Sequence, residues 1–191
     1  MKAKELTLCG LFIALITVGT FIRIPIPGGD YFTLQFLFTL LAGIVLGGRL
    51  GALAVGTYVL LGLVGVPVFA AGGGPGYIVQ PTFGYLLGFI LQAWFCGHYA
   101  HQLKDVTFRR LLLVNVGGMA IVYGIGLVWF YIFSNYVADA PISVWGVILY
   151  CGILQCLPDF LLVLGATVLG LRLQHRNLWL MQEEKGTLSY E

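Results

Sequence analysis

Leu111-Leu-Leu-Val-Asn-Val-Gly-Gly-Met-Ala-Ile-Val-Tyr-Gly-Ile-Gly-Leu-Val-Trp-Phe-Tyr-Ile-Phe133 runs for roughly 23 residues without a charged side chain. About 20 such residues, as a helix, cross the ~30 Å hydrocarbon core of a bilayer. A helix that is apolar on every face has no surface to offer to water. Around it, the composition agrees. Of 191 residues, 59% are hydrophobic, 14% aromatic and 9% charged, with a mean hydropathy of +0.94. A soluble surface needs about 25% charged residues. A soluble monomer, a disordered chain and a coiled coil are therefore excluded. A net charge of +2 gives no basic face for nucleic acid. Transmembrane strands would be about ten residues long, so apolar runs of this length point to helices.

Working outward, the chain divides into six apolar segments: 6–24, 32–46, 51–66, 81–97, 111–133 and 143–171, with 172–191 as a tail. The expectation is an all-α integral membrane protein, one domain over 1–191, with six transmembrane helices in one bundle. The first segment ends at Pro25 and Pro27, the second is short, and the third closes at Pro67. The sixth is long enough to tilt, or to be interrupted at Pro158. Met1-Lys-Ala-Lys-Glu-Leu leads into the first segment without a small-residue cleavage site, so that segment reads as a retained span rather than a signal peptide. With the amino terminus cytoplasmic, Lys2, Lys4, Arg49, Lys104, Arg109, Arg110, Arg172, Arg176 and Lys185 fall inside, and Arg23 alone of the ten Lys and Arg residues falls outside. That bias matches the positive-inside rule and puts both termini in the cytoplasm.

Polar residues within the spans are few. Asp159 is the one carboxylate deep in a span. Such a group costs about 2.5–3.5 kcal/mol on insertion scales, so it faces the bundle interior or a wet cavity. Gln155 lies one helical turn earlier on the same face. Pro158 removes a backbone donor and frees the Leu154 carbonyl. These groups fit ligand binding, with an interhelical hydrogen bond as the plainer alternative. Gln35, Thr82, Tyr85 and Tyr123 belong to the same outer half, where tyrosines suit a small amphiphilic ligand. Tyr136 and Trp145 read as interfacial belt residues. Tyr77 sits in a glycine-rich connection, Ala70 to Gln80, that is either a binding loop or a tight turn. The connection is no P-loop, because no Gly-Lys-Ser/Thr follows.

Enzymatic chemistry finds no support in the spans: there is no nucleophile–base pair, and no HExxH. His98 and His101 lie at the inner edge without a third ligand. Cys9, Cys96, Cys151 and Cys156 show no CxxC spacing and read as small apolar side chains, so neither metal nor cofactor is expected. Small residues recur one turn apart at Gly10/Ala14, Gly43/Gly47, Ala52/Gly56, Gly84/Gly88 and Ala166/Gly170, the pattern of close helix packing in lipid. The Gly10/Ala14 face, on a first helix at the bundle edge, is the best candidate to meet a partner subunit.

Thr33-Leu-Gln35, Leu41-Ala-Gly43 with Leu46-Gly47, Tyr58-Val-Leu-Leu-Gly-Leu-Val-Gly-Val-Pro-Val-Phe-Ala70 and Pro81-Thr-Phe-Gly-Tyr-Leu-Leu-Gly-Phe89 resemble the BioY family. These are the biotin-specific S components of energy-coupling factor (ECF) transporters. The resemblance implies a multi-pass protein of the bacterial cytoplasmic membrane with an outward-facing vitamin pocket. It also implies partners: a transmembrane coupling subunit and two cytosolic ATPases that hydrolyse ATP in its place, with Gly10 and Ala14 on the coupling face. Asp159 would accept from a ureido N–H of biotin, and Gln155 or a tyrosine would donate to the ureido carbonyl. Residues near Phe69 and Tyr85 would enclose the ring and chain. This sequence lacks the family's lysine after the aspartate, and Leu86 replaces a basic residue found in some members. The ligand carboxylate is then held by Arg23 or by loop amides, or the ligand differs. Lipoate is the nearest alternative ligand, and a membrane assembly protein with no ligand is the alternative of a different class.

Overall fold

The computed structural model describes residues 2–26, 30–138, 140–176 and 178–179. Among the described residues, six helices make the bundle: α1 (Ala3–Phe21), α2 (Gln35–Leu46), α3 (Gly48–Val64), α4 (Phe83–Gln102), α5 (Phe108–Tyr136) and α6 (Val144–His175). Of these, α1, α5 and α6 are each long and apolar enough to cross a membrane. Lys185 and the rest of the tail beyond 179 lie outside the described residues.

The chain is not purely helical. A two-stranded antiparallel hairpin, β1 (Arg23–Ile26) and β2 (Asp30–Thr33), stands where the sequence suggested the end of one span and the start of the next. Arg23 pairs with Thr33 and Pro25 with Tyr31. The cause is local. Pro25 disfavours helical backbone at Ile24 and has no N–H to continue α1, so the chain turns extended after Phe21.

That hairpin shortens α2 to 12 residues, ~18 Å of rise, well under a bilayer core. All but two of its residues are buried, because α1, α3, α4 and α6 enclose it. Gly47 links α2 to α3 at φ 82°, a left-handed conformation that disfavours side chains.

Side-chain contacts fix each helix direction. Thr20 on α1 meets Tyr58 on α3 at 3.0 Å, and Cys9 lies near the Leu50 carbonyl, so these two run parallel. Thr39 and Phe36 on α2 meet Gln92 and Phe89 on α4 in the same order. Asn115 and Tyr123 on α5 meet Thr167 and Asp159 on α6 in reverse order. One end of the bundle therefore collects Lys2, Lys4, Arg49, Lys104, Arg109, Arg110, Arg172 and Arg176, while Arg23 stands at the other.

Glycine makes the closest crossings. A Cβ on Gly43 would come 2.5 Å from the Ala93 carbonyl oxygen, and one on Gly88 2.9 Å from the Val122 Cα. By contrast, Gly10 has nothing within 4 Å of its Cβ position, and Gly10 and Ala14 lie exposed on the outside of α1. Pro158 does not interrupt α6. The helix passes through it, and its irregularity lies earlier, in a π-helical turn at Ile148–Ile153. Such turns are rare and frequent near functional sites.

Candidate functional site

A cavity of about 200 Å³ opens at the Arg23 end of the bundle. Its floor is the start of α2, its walls are α4, α5 and α6, and its rim is the hairpin and the α3–α4 connection. Thr33, Gln35, Ala70, Tyr77, Gln80, Thr82, Tyr85, Val122, Gln155 and Asp159 are among its lining.

Depth sorts these groups. Trp129 Nε1 donates to the Gln80 carbonyl at 3.1 Å, which sets Gln80 level with Trp129. Tyr123 lies six residues earlier on α5, ~9 Å deeper. There its hydroxyl donates to Asp159 Oδ2 at 2.7 Å. Phe36 and Phe89 are edge-to-face at 6.0 Å, so α2 starts level with the second turn of α4. Gln35, Asp159, Gln155 and Tyr85 thus make up the polar inner part of the cavity, Asp159 deepest and backed by Tyr123, with Gln155 one turn above it. Above it, the rim of Thr33, Ala70, Ala71, Gln80 and Thr82 is neutral, and Ala71 and Gln80 are exposed.

The floor carries unmet hydrogen-bonding capacity. Gln35 Nε2 is a buried donor without a partner, and Gln155 Oε1 a buried acceptor without one. Each such group costs about 1–3 kcal/mol if left unmatched, so a ligand offering the complement is favoured. The start of α2 has no side-chain N-cap, which adds backbone N–H donors beside Gln35. Asp159 is 5% exposed and is the one charged side chain among the described lining residues. The arrangement offers donors from α2 facing acceptors from α6. Tyr85 is held by a long contact from its hydroxyl to the Cys151 carbonyl, 3.4 Å, and stands edge-on to Tyr123 at 6.3 Å. That carbonyl belongs to the π-helical turn.

Asp159, Gln155, Gln35, Tyr85, Thr82 and Tyr77, all put forward by the sequence, meet in this cavity. Two do not. Phe69 is buried behind the lining, tilted against the Tyr77 ring at 4.4 Å and edge-on to Tyr58 at 5.6 Å. It backs the wall and does not form it. Arg23 is exposed and outside the lining, and its guanidinium donates to the carbonyl of the rim residue Ala70. The glycine-rich connection is a wall as well as a turn. Gly74, at φ 111°, donates to the Gly62 carbonyl at 2.7 Å and folds Tyr77 inward. Phe36, Phe89 and Val122 line the cavity without any sequence signal beyond apolarity.

Comparison with known proteins decides the family. The BioY family model matches residues 1–178. This chain belongs to the BioY family. Among curated members, it is 38% identical over 170 residues to the probable biotin transporter BioY of Lysinibacillus sphaericus, covering 88% of this chain and 86% of that one. It is 45% identical over 137 residues to the biotin transporter BioY of Thermotoga maritima, covering 71% and 78%. The fold matches the crystal structure of the S-component for biotin from an ECF-type ABC transporter. The TM-score is 0.79 at 23% identity, over 91% of this chain and 92% of the other. For this BioY family member, the match shows a shared helical-bundle fold.

Proposed function

We propose that this chain is the biotin-binding subunit of an uptake system of the cytoplasmic membrane. The observation that carries this reading is the cavity floor. A ureido group has two N–H donors and one carbonyl acceptor. Asp159 and Gln155 Oε1 provide acceptors, and Gln35 Nε2 an unmatched donor. The sequence alone had given the donor role to Gln155 or a tyrosine; Gln35 is the better candidate. The ring and chain then rise along Tyr85, Tyr77 and Thr82 toward the rim. Lipoate has no ureido group and leaves both amides unmatched.

The clustered cations support cytoplasmic termini, and with them a cavity open to the outside. Transport then needs a partner that moves the loaded subunit, and ATP hydrolysis belongs to that machinery: a transmembrane coupling subunit with two cytosolic ATPases. The exposed Gly10 and Ala14 face of α1 suits close approach by the coupling subunit.

The test is isothermal titration of the detergent-purified protein with biotin and with lipoate, alongside mass spectrometry of small molecules it retains. Tight biotin binding that lipoate does not compete away is expected. Binding of neither would overturn the reading in favour of a membrane assembly role.

A further inference from the structure

We infer that this subunit does not read the charge on its ligand's tail, and that it also takes biotin derivatives whose carboxylate is masked as a carboxamide or ester. The inference rests on the biotin reading above. Its basis is the separation of chemistry along the cavity. The one charged lining side chain among the described residues, Asp159, lies at the floor level with Tyr123, ~9 Å below Gln80, with Gln155 about one turn above it. A ligand seated head-first therefore leaves its tail at the rim. The rim residues are Thr33, Ala70, Ala71, Gln80 and Thr82, all neutral, with Ala71 and Gln80 in contact with solvent.

No cation among the described residues lines the cavity. The eight Lys and Arg residues named above stand at the opposite end of the bundle. The hairpin between Arg23 and Thr33 carries Asp30 and no Lys or Arg in its sequence. Arg23 is exposed at the edge of that rim, pairing with Thr33 across the hairpin and donating to the Ala70 carbonyl, so any contact it made with a tail carboxylate would be a solvent-exposed ion pair, worth little. A carboxylate at this rim keeps its water, and a neutral amide or ester in its place loses no buried ion pair. Thr33, Gln80 and Thr82 supply hydroxyl and amide groups that hydrogen-bond either form.

Biotin, biotinamide and biotin methyl ester are titrated separately into the purified full-length protein, with an Arg23→Gln variant run in parallel. Biotinamide and the methyl ester should bind within about fivefold of biotin, the span of a solvent-exposed ion pair. The Arg23→Gln substitution should leave the ratio of biotin to biotinamide unchanged. A larger loss for both neutral ligands, with biotin bound tightly, would overturn the inference while leaving the biotin reading intact. If Arg23→Gln abolished that loss, Arg23 would be the carboxylate's partner. Failure of biotin itself to bind would overturn both.

Discussion

Replacing Asp159 by Asn changes its charge with almost no change of shape. The side chain is 5% exposed and accepts the Tyr123 hydroxyl proton at 2.7 Å. An amide oxygen can keep that bond. What is lost is the charge and the second acceptor oxygen; an NH2 donor takes its place on the cavity floor. A ureido N–H would then face a donor. Hydrogen bonds to charged groups are worth about 1.5–3 kcal/mol, which corresponds to about 10- to 150-fold in biotin affinity. Gln155 Oε1, unmatched on the same helix face, takes over part of the role and favours the lower half of that range. Titration calorimetry of purified wild type and variant measures it. Thermal unfolding without ligand supplies the control, since the Asn oxygen can keep the Tyr123 bond and no charge then has to be kept out of water. An affinity within threefold of wild type would refute the reasoning. If the unliganded variant also unfolded at lower temperature, Asp159 would be a fastener between α5 and α6.

Three further outcomes follow from the packing. Gly126→Ala drives a Cβ into the Tyr85 ring; overpacking of about 1–3 kcal/mol should push that ring into the cavity and weaken biotin binding at least fivefold in the same titration. Thr39→Val removes the partner of Gln92 Oε1, a 3.0 Å bond between fully buried side chains. It should cost about 1–3 kcal/mol in thermal unfolding and leave biotin binding unchanged, because neither residue lines the cavity. Gly10→Leu combined with Ala14→Leu meets open space on the outside of α1. It should preserve biotin affinity and abolish co-purification with the coupling subunit; retained co-purification would place that contact elsewhere.

Asp159 could be singled out from sequence because a lone carboxylate in a lipid-length run is expensive wherever it stands. Gln155 followed from helical spacing. Thr82, Tyr85 and Gln35 followed from the polarity of segment ends. Phe69 and Arg23 stand outside the cavity lining, which the sequence could not show, because nothing local distinguishes a wall residue from one behind it. Phe69 is near Tyr77 in sequence and in space, yet Tyr77 has the inner position. Arg23 stands at the correct end of the bundle but turns to a backbone carbonyl. The hairpin was hidden because Arg23-Ile24 and Phe32-Thr33 were counted into the flanking apolar segments, and a proline break says where a helix ends but not that the chain beyond it pairs as strands.

Membrane residence, the number of helices and the gathering of basic residues at alternate connections are properties of the chain read in order. They depend on windows of about 20 residues, and composition suffices to state them. The donor of Gln35 lying across from the acceptors of Asp159 and Gln155 is different. It requires α2 to begin deep, below a hairpin, and α4 to approach it through glycine contacts at Gly43. Residues more than a hundred positions apart share that floor, and their meeting is set by helix direction and the fit of packed surfaces, which a linear pattern does not encode.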